Sequence, residues 1–160
     1  MGKRDRAIEI IGRGVLIHDG RVLLCRSVEH GYSYLPGGHV EFGEAAATAV
    51  EREFEEETGL RVRAGALVLV TEALFSARGK EHHEVNLVFH AEPQEGTPPP
   101  SIASREPDIA FEWVELAKVA EHDVRPAAIR DWLSAGAGTH SATAAWMSEI
   151  SGAGGESRGG

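Results

Sequence analysis

Glu53, Glu56 and Glu57 lie at i, i+3 and i+4 within the run Arg52-Glu53-Phe54-Glu55-Glu56-Glu57. On a helix that spacing gathers three carboxylates on one patch. On an exposed surface such like-charge neighbours cost roughly 0.2–0.5 kcal/mol per pair, whereas half-buried at ~5–6 Å the repulsion approaches ~3 kcal/mol. A divalent cation removes that cost. Hard oxygen donors without Cys or His select Mg²⁺, with Mn²⁺ as a substitute, and Mg²⁺ binds through few carboxylates plus substrate phosphates. Arg52 stands one turn before Glu56, where it can pair with it and fix a ligand carboxylate. Taken alone, an E-x-x-E-E pattern is usually a solvated face.

The helix itself is expected over Glu44 to Thr58, a run rich in Ala, Glu and Arg with no Pro or internal Gly, closing at Gly59 in the left-handed cap position. Ala46, Val50 and Phe54, with Ala47 beside them, would face the core. Upstream, Leu35-Pro36-Gly37-Gly38 is a turn.

Gly38, five residues, Glu44, seven residues, then Arg52 to Leu60 resemble the Nudix box, G-x5-E-x7-R-E-U-x-E-E-x-G-U with U a bulky apolar residue, at every fixed position. With the Leu35-Pro36-Gly37-Gly38 lead-in, the motif is far more specific than a three-glycine pattern. The resemblance spans about residues 6 to 134. It implies an α/β/α sandwich on a mixed β-sheet, with the box as a loop-helix-loop. It also implies hydrolysis of the pyrophosphate bond in a nucleoside diphosphate linked to a group X. Glu53, Glu56 and Glu57 match the family's metal ligands, with the carbonyl of Gly37 or Gly38 as a further one, and Arg52 matches the arginine that orients a catalytic glutamate. Glu44 reads as a helix-start residue supporting the ligands, and with Gly38 it is placed near the substrate. Some members take the base from a loop glutamate, for which Glu106 is the candidate here, against Glu53 held by Arg52. Arg26, ending a strand before the box, is a candidate phosphate contact, although an exposed strand-end arginine is an equal reading.

The remaining chain is read as supporting structure. Ile8 to Ile17 and Arg21 to Cys25 are expected strands joined at Asp19-Gly20. Val62 to Thr71 and Glu84 to Ala91 are two more, with polar Ser76 to His83 as the loop between them. Gln94 to Ala110, holding four of the seven prolines, reads as a long loop, and Phe111 to Leu116 as a last strand. Asp123 is the expected cap of a helix from Pro126 to Leu133. Residues 1–134 form one domain, and 135–160, rich in Gly, Ser and Ala, are expected to stay unordered, although Ala142 to Ile150 could form a short amphipathic turn or dock on a partner. His82 and His83, adjacent in an extended run, point to opposite faces and do not make a zinc site.

The chain has 160 residues and a formal net charge of -9, which disfavours nonspecific nucleic-acid binding. A single cysteine, Cys25, fits a reducing cytoplasm, and no apolar run reads as a signal peptide or membrane span. The expected partner is a small nucleotide, with a homodimer left open. Subfamily markers are missing: Phe75-Ser76 stand where many ADP-ribose pyrophosphatases carry a proline, and no tyrosine occupies Ser76 to Arg78, where dinucleoside polyphosphate hydrolases often have one. ADP-ribose or nucleotide-sugar pyrophosphatase therefore ranks behind nucleoside triphosphate or general nucleotide-derivative hydrolysis. A nucleotide-sensing module without catalysis would be expected to lose box acids, and none is lost. An isomerase of the isopentenyl diphosphate type would need a catalytic cysteine in a context that Cys25 lacks.

Overall fold

The computed structural model describes residues 6–136 and 144–148. β1 (Ile8–Val15) and β2 (Ile17–His18) turn through Asp19 and Gly20, both at positive φ, into β3 (Arg21–Ser27). This is the tight Asp-Gly turn read from the sequence. After β4 (Ser33–Tyr34) and β5 (Gly37–His39) comes α1 (Ala46–Thr58), then the long hairpin of β6 (Val62–Ala77) and β7 (Lys80–Pro93). β8 (Ile109–Glu115), a 3-10 turn at Leu116–Glu121, α2 (Ala127–Ser134) and β9 (Ala145–Ser148) complete the described elements.

One sheet is ordered β5-β1-β7-β6-β9 and is mixed, with β1–β7 and β6–β9 parallel and β1–β5 and β6–β7 antiparallel. In the second, β3 pairs with β2, β4 and β8. Side chains alternate across a strand, so each strand feeds two cores. Leu16, Leu23 and Ala91 pack with Val50 and Phe54 of α1, while Val15, Leu24, Leu69 and Val88 pack with Ile129, Trp132 and Leu133 of α2. The result is the expected α/β/α sandwich, with a helix on each face.

Glycine lets α1 approach the sheet. A Cβ at Gly14 would meet the Phe54 ring and one at Gly12 would meet the Ala46 carbonyl at 3.1 Å, so β1 is bare where the helix lies on it.

Four local expectations need correction. α1 starts at Ala46 rather than Glu44, and its buried line is Ala49, Val50, Phe54 and Glu57, so Ala49 takes the place assigned to Ala47 and a carboxylate shares the core face. The supposed loop from Ser76 to His83 is strand: the turn is Arg78-Gly79 alone, and Ser76 pairs with Glu81. Polar residues tolerate the sheet there because ladder hydrogen bonds satisfy the backbone while the side chains remain wet. Asp123 does not cap α2; it grips Arg125 through two bonds of 2.8 and 3.1 Å, and the cap is Pro126, with no side-chain bond. Within the C-terminal stretch expected to be unordered, Ala145–Ser148 pairs in parallel with Leu69–Glu72, and Ala145 and Met147 pack on the α2-side core. The rest of that stretch, from 137 to 143 and from 149 on, lies outside the described residues.

Candidate active site

α1 closes at Gly59, φ +73, whose N–H bonds the Glu55 carbonyl at 2.9 Å. The box arginine is built into the turn before the helix. Arg52 donates to both oxygens of Glu44, at 2.8 and 3.1 Å, to Glu53 at 3.0 Å, to Glu56 at 3.3 Å and to the His39 carbonyl at 3.2 Å. The forked guanidinium holds Glu44 as a brace, and the expected pair with Glu56 is the longest of these contacts. The Glu44 carboxyl is lowered, first by Arg52 and then by the Glu41 N–H, so it stays ionised.

Gly38 of β5 faces Glu53, whose carboxylate fills the space a Cβ would need. At Gly37, φ +146, a Cβ would strike the backbone of Gly12 and Arg13. The two glycines therefore let the turn, the sheet and the carboxylate meet at backbone distance.

Glu57 is the electrostatic centre. The residue is 5 % exposed, and its carboxylate accepts a long contact from the Cys25 thiol at 4.0 Å. Burial pushes its carboxyl up to about 8, with Glu53, Glu106 and Glu56 adding repulsion and Arg13 opposing it. Glu53 is also raised, by burial first, against the pull of Arg52. Among the described residues no three Cys, His, Asp or Glu side chains already form a cage for an ion. Glu53 and Glu56 are turned onto Arg52, and Glu56 is exposed. The donor set still suits a hard divalent cation: a buried carboxylate that lacks a strong donor, next to two more carboxylates, is relieved either by a proton or by a cation.

Glu106 is exposed, yet its charge acts on Glu53, Glu57 and Cys25, so the loop before β8 brings it beside the box. Arg105 explains how. Its N–H donates to the Glu57 carbonyl at 2.8 Å, and its side chain lies over Gly59 and reaches the Glu55 carbonyl at 3.4 Å. A cation and an N–H thus close the C-terminal end of α1, where orphan carbonyls and the helix dipole favour them. Arg105 was missed in the sequence because its partners Glu55, Glu57 and Gly59 stand far from it along the chain, the first of them 50 residues away.

Arg26 is not brought into this group. It is exposed, and Cys25, its neighbour on β3, is the residue that faces Glu57, so Arg26 points to the other side of that sheet. Arg13 is the second residue the sequence reading overlooked. It is a nearly buried guanidinium bonded to Asn86 and to the Leu35 carbonyl, and only its isolation between two glycines could have signalled it. His82 and His83 do diverge: His82 and His39 both bond Glu9, at 2.9 Å each, which keeps that carboxyl below its usual range.

The chain belongs to the NUDIX domain family, whose domain matches residues 9–133. With the relatives that follow, the match makes it a pyrophosphohydrolase. A MutT-like protein of Streptomyces ambofaciens is 38% identical over 130 residues, covering 79% of this chain and 77% of that protein. An ADP-ribose pyrophosphatase of Methanocaldococcus jannaschii is 35% identical over 79 residues, 48% of this chain and 46% of that one. Among solved structures, a MutT protein from Methanosarcina mazei Go1 superposes with a TM-score of 0.64 at 25% identity, covering 83% of this chain and 95% of its own. No described helix is long and apolar enough to cross a membrane.

Proposed function

We infer that this chain hydrolyses the pyrophosphate bond of a nucleoside diphosphate linked to X, in a Mg²⁺-dependent reaction, with a nucleoside triphosphate or nucleotide derivative as substrate. The observation that carries the reading is Glu57: a carboxylate only 5 % exposed, beside Glu53, which is itself seated on Gly38, and repelled by Glu53, Glu106 and Glu56, so that burial and repulsion push it up to about 8. Glu53, Glu56 and Glu57 with the Gly37 carbonyl would hold the cation, and Mn²⁺ would substitute for Mg²⁺. A bound divalent ion supplies charge neutralisation at the diphosphate and a more acidic water.

The chain's own groups do the rest. Arg52 holds Glu53 and, through Glu44, fixes the turn before the helix. Glu106, carried to the box by Arg105, takes the proton from the attacking water, with Glu53 as the competing base. Gly38 and Glu44 border the substrate. Arg26, if it meets a phosphate, needs a route around the edge of its sheet. The catalytic domain is assigned to residues 1–134 together with β9, which joins its mixed sheet, and the setting to the cytoplasm.

A second reading, ADP-ribose or nucleotide-sugar hydrolysis, is favoured by the archaeal ADP-ribose pyrophosphatase, although that likeness covers less than half of either chain. One panel separates them: nucleoside triphosphates, dinucleoside polyphosphates, ADP-ribose and UDP-sugars, each followed by product analysis over a Mg²⁺ titration. Preferred turnover of triphosphates to monophosphate supports the first reading. Preferred turnover of ADP-ribose or a UDP-sugar moves the assignment to the second. No turnover of any diphosphate with Mg²⁺ or Mn²⁺ sinks both.

A further inference from the structure

Arg13 is charged and nearly buried, at 11 % side-chain exposure, so it must be bonded on several sides to be tolerated. Gly12 and Gly14 face α1, so Arg13, between them on β1, projects from the opposite face of the sheet. There its Nε donates to Oδ1 of Asn86 at 2.8 Å and its Nη1 to the Leu35 carbonyl at 3.0 Å. Its Nη2 lies 3.7 Å from Glu84, and its Cζ is 5.5 Å from the centre of the Tyr34 ring. Asn86 is fully buried, so this fork is anchored in the middle of β7.

The other prong reaches the turn that leads into the box. The same turn is tied to β1 by the Gly14 N–H, which donates to the Pro36 carbonyl at 2.9 Å, and by the strand pairing of Arg13 with Gly37 and Gly12 with Gly38. Leu35, Pro36, Gly37 and Gly38 are thus held against one short piece of β1, and the next contact outward is Gly38 on Glu53. A backbone carbonyl can serve a metal only if the turn carrying it is held firmly. A side chain with donors in a rigid fork can bridge a sheet amide and a turn carbonyl at once, whereas a lysine offers one point of attachment.

We propose that Arg13 is a positioning residue of the metal site, clamping the Leu35-Pro36-Gly37 turn onto β1 and β7 so that the Gly37–Gly38 backbone and the box carboxylates meet at ligand distance. The proposal rests on the reading of the box as a divalent-cation site.

The test measures Mn²⁺ binding directly, by calorimetry or paramagnetic resonance, for the full chain and for Arg13→Gln and Arg13→Lys, with melting temperature and kcat alongside. Arg13→Gln is expected to weaken Mn²⁺ binding and raise the Mg²⁺ concentration for half-maximal rate by the same roughly 10–100-fold, the range for partners that orient metal ligands. Saturating Mg²⁺ should restore most of kcat, and Arg13→Lys should fall between. A purely structural arginine would lower the melting temperature and leave the Mn²⁺ affinity of the folded fraction unchanged, and that outcome overturns the proposal. If Arg13→Gln does not fold, Arg13→Lys decides by the same criterion. If the parent itself binds no Mn²⁺, the cation reading has failed rather than the role of Arg13.

Discussion

α2 buries Ala128, Ile129, Trp132 and Leu133, whereas α1 buries Ala49, Val50 and Phe54 and, one turn further, Glu57. Both helices lie on the same mixed sheet, one on each face, and both have an apolar stripe at helical spacing. α2 uses its whole buried face for packing. α1 gives one core position to a carboxylate whose burial disfavours its charge, and it surrounds that position with more acid. An apolar side chain there would pack at no electrostatic cost. Such a departure from local consistency marks the face where chemistry is done, and α2 shows what the same fold does without that demand.

The largest effect that would break this contrast is at Glu57 itself. Glu57→Gln should cut kcat by ~10²-fold or more, beyond what loss of an outer metal partner usually costs, while leaving the fold intact. Without metal, the folded protein favours the protonated form, since burial raises this carboxyl from 4.5 to about 8. The destabilisation is therefore absent below about pH 4.5, grows as pH rises, and is complete above about pH 8. Melting curves of metal-free parent and Glu57→Gln should coincide near the lower limit, with the variant melting increasingly higher toward the upper one. A gap independent of pH would remove Glu57 from its special place on α1.

Next in size is the base. Glu106→Gln should cost roughly 10²–10⁴ in kcat at saturating Mg²⁺, with little change in the metal requirement. If it retains more than about a third of the parent rate, far outside that range, the role passes to Glu53, and Glu53→Gln should then be the severe variant. The result sharpens the comparison by showing whether α1 carries all the acid chemistry or shares it with the loop that Arg105 docks on its end.

The smallest effect belongs to α2. Ile129→Val should cost roughly 0.5–1.5 kcal/mol in denaturant unfolding, the usual range for removing one buried methylene. kcat/KM per folded molecule should stay at the parent value. A loss of activity larger than the loss of stability would mean that α2 is coupled to the site and that the division between the two helices is wrong.

Much of the site follows from short spacings. Arg52, Glu53, Glu56 and Glu57 stand on one helix, so the period of 3.6 residues brings them together whatever the rest of the chain does. Gly37 and Gly38 were equally readable, because a Pro-Gly-Gly turn has few other uses before a helix. The errors have local causes too. Polar Ser76 to His83 has the composition of a loop, but side-chain polarity does not report backbone pairing, which the β6–β7 ladder supplies there. Asp123 looked like a cap by type, yet it stands four residues before α2, and Arg125 claims it. β9 was hidden because four residues next to a Gly-rich segment gain their order from distant partners, the pairing with β6 and the α2-side core.

The order of residues along the chain was enough to set the acidic helix, its glycine stop, the turn before it and the family, because each depends on neighbours within a turn or two. Folding of the whole chain decided that Glu57 is the buried acid and Glu56 the exposed one. It also brought Arg105 to the carbonyl end of α1 and Arg13 from β1 to the turn. Burial and long-range hydrogen bonds are properties of elements packed against one another, and no spacing within one segment encodes which distant group will arrive beside it.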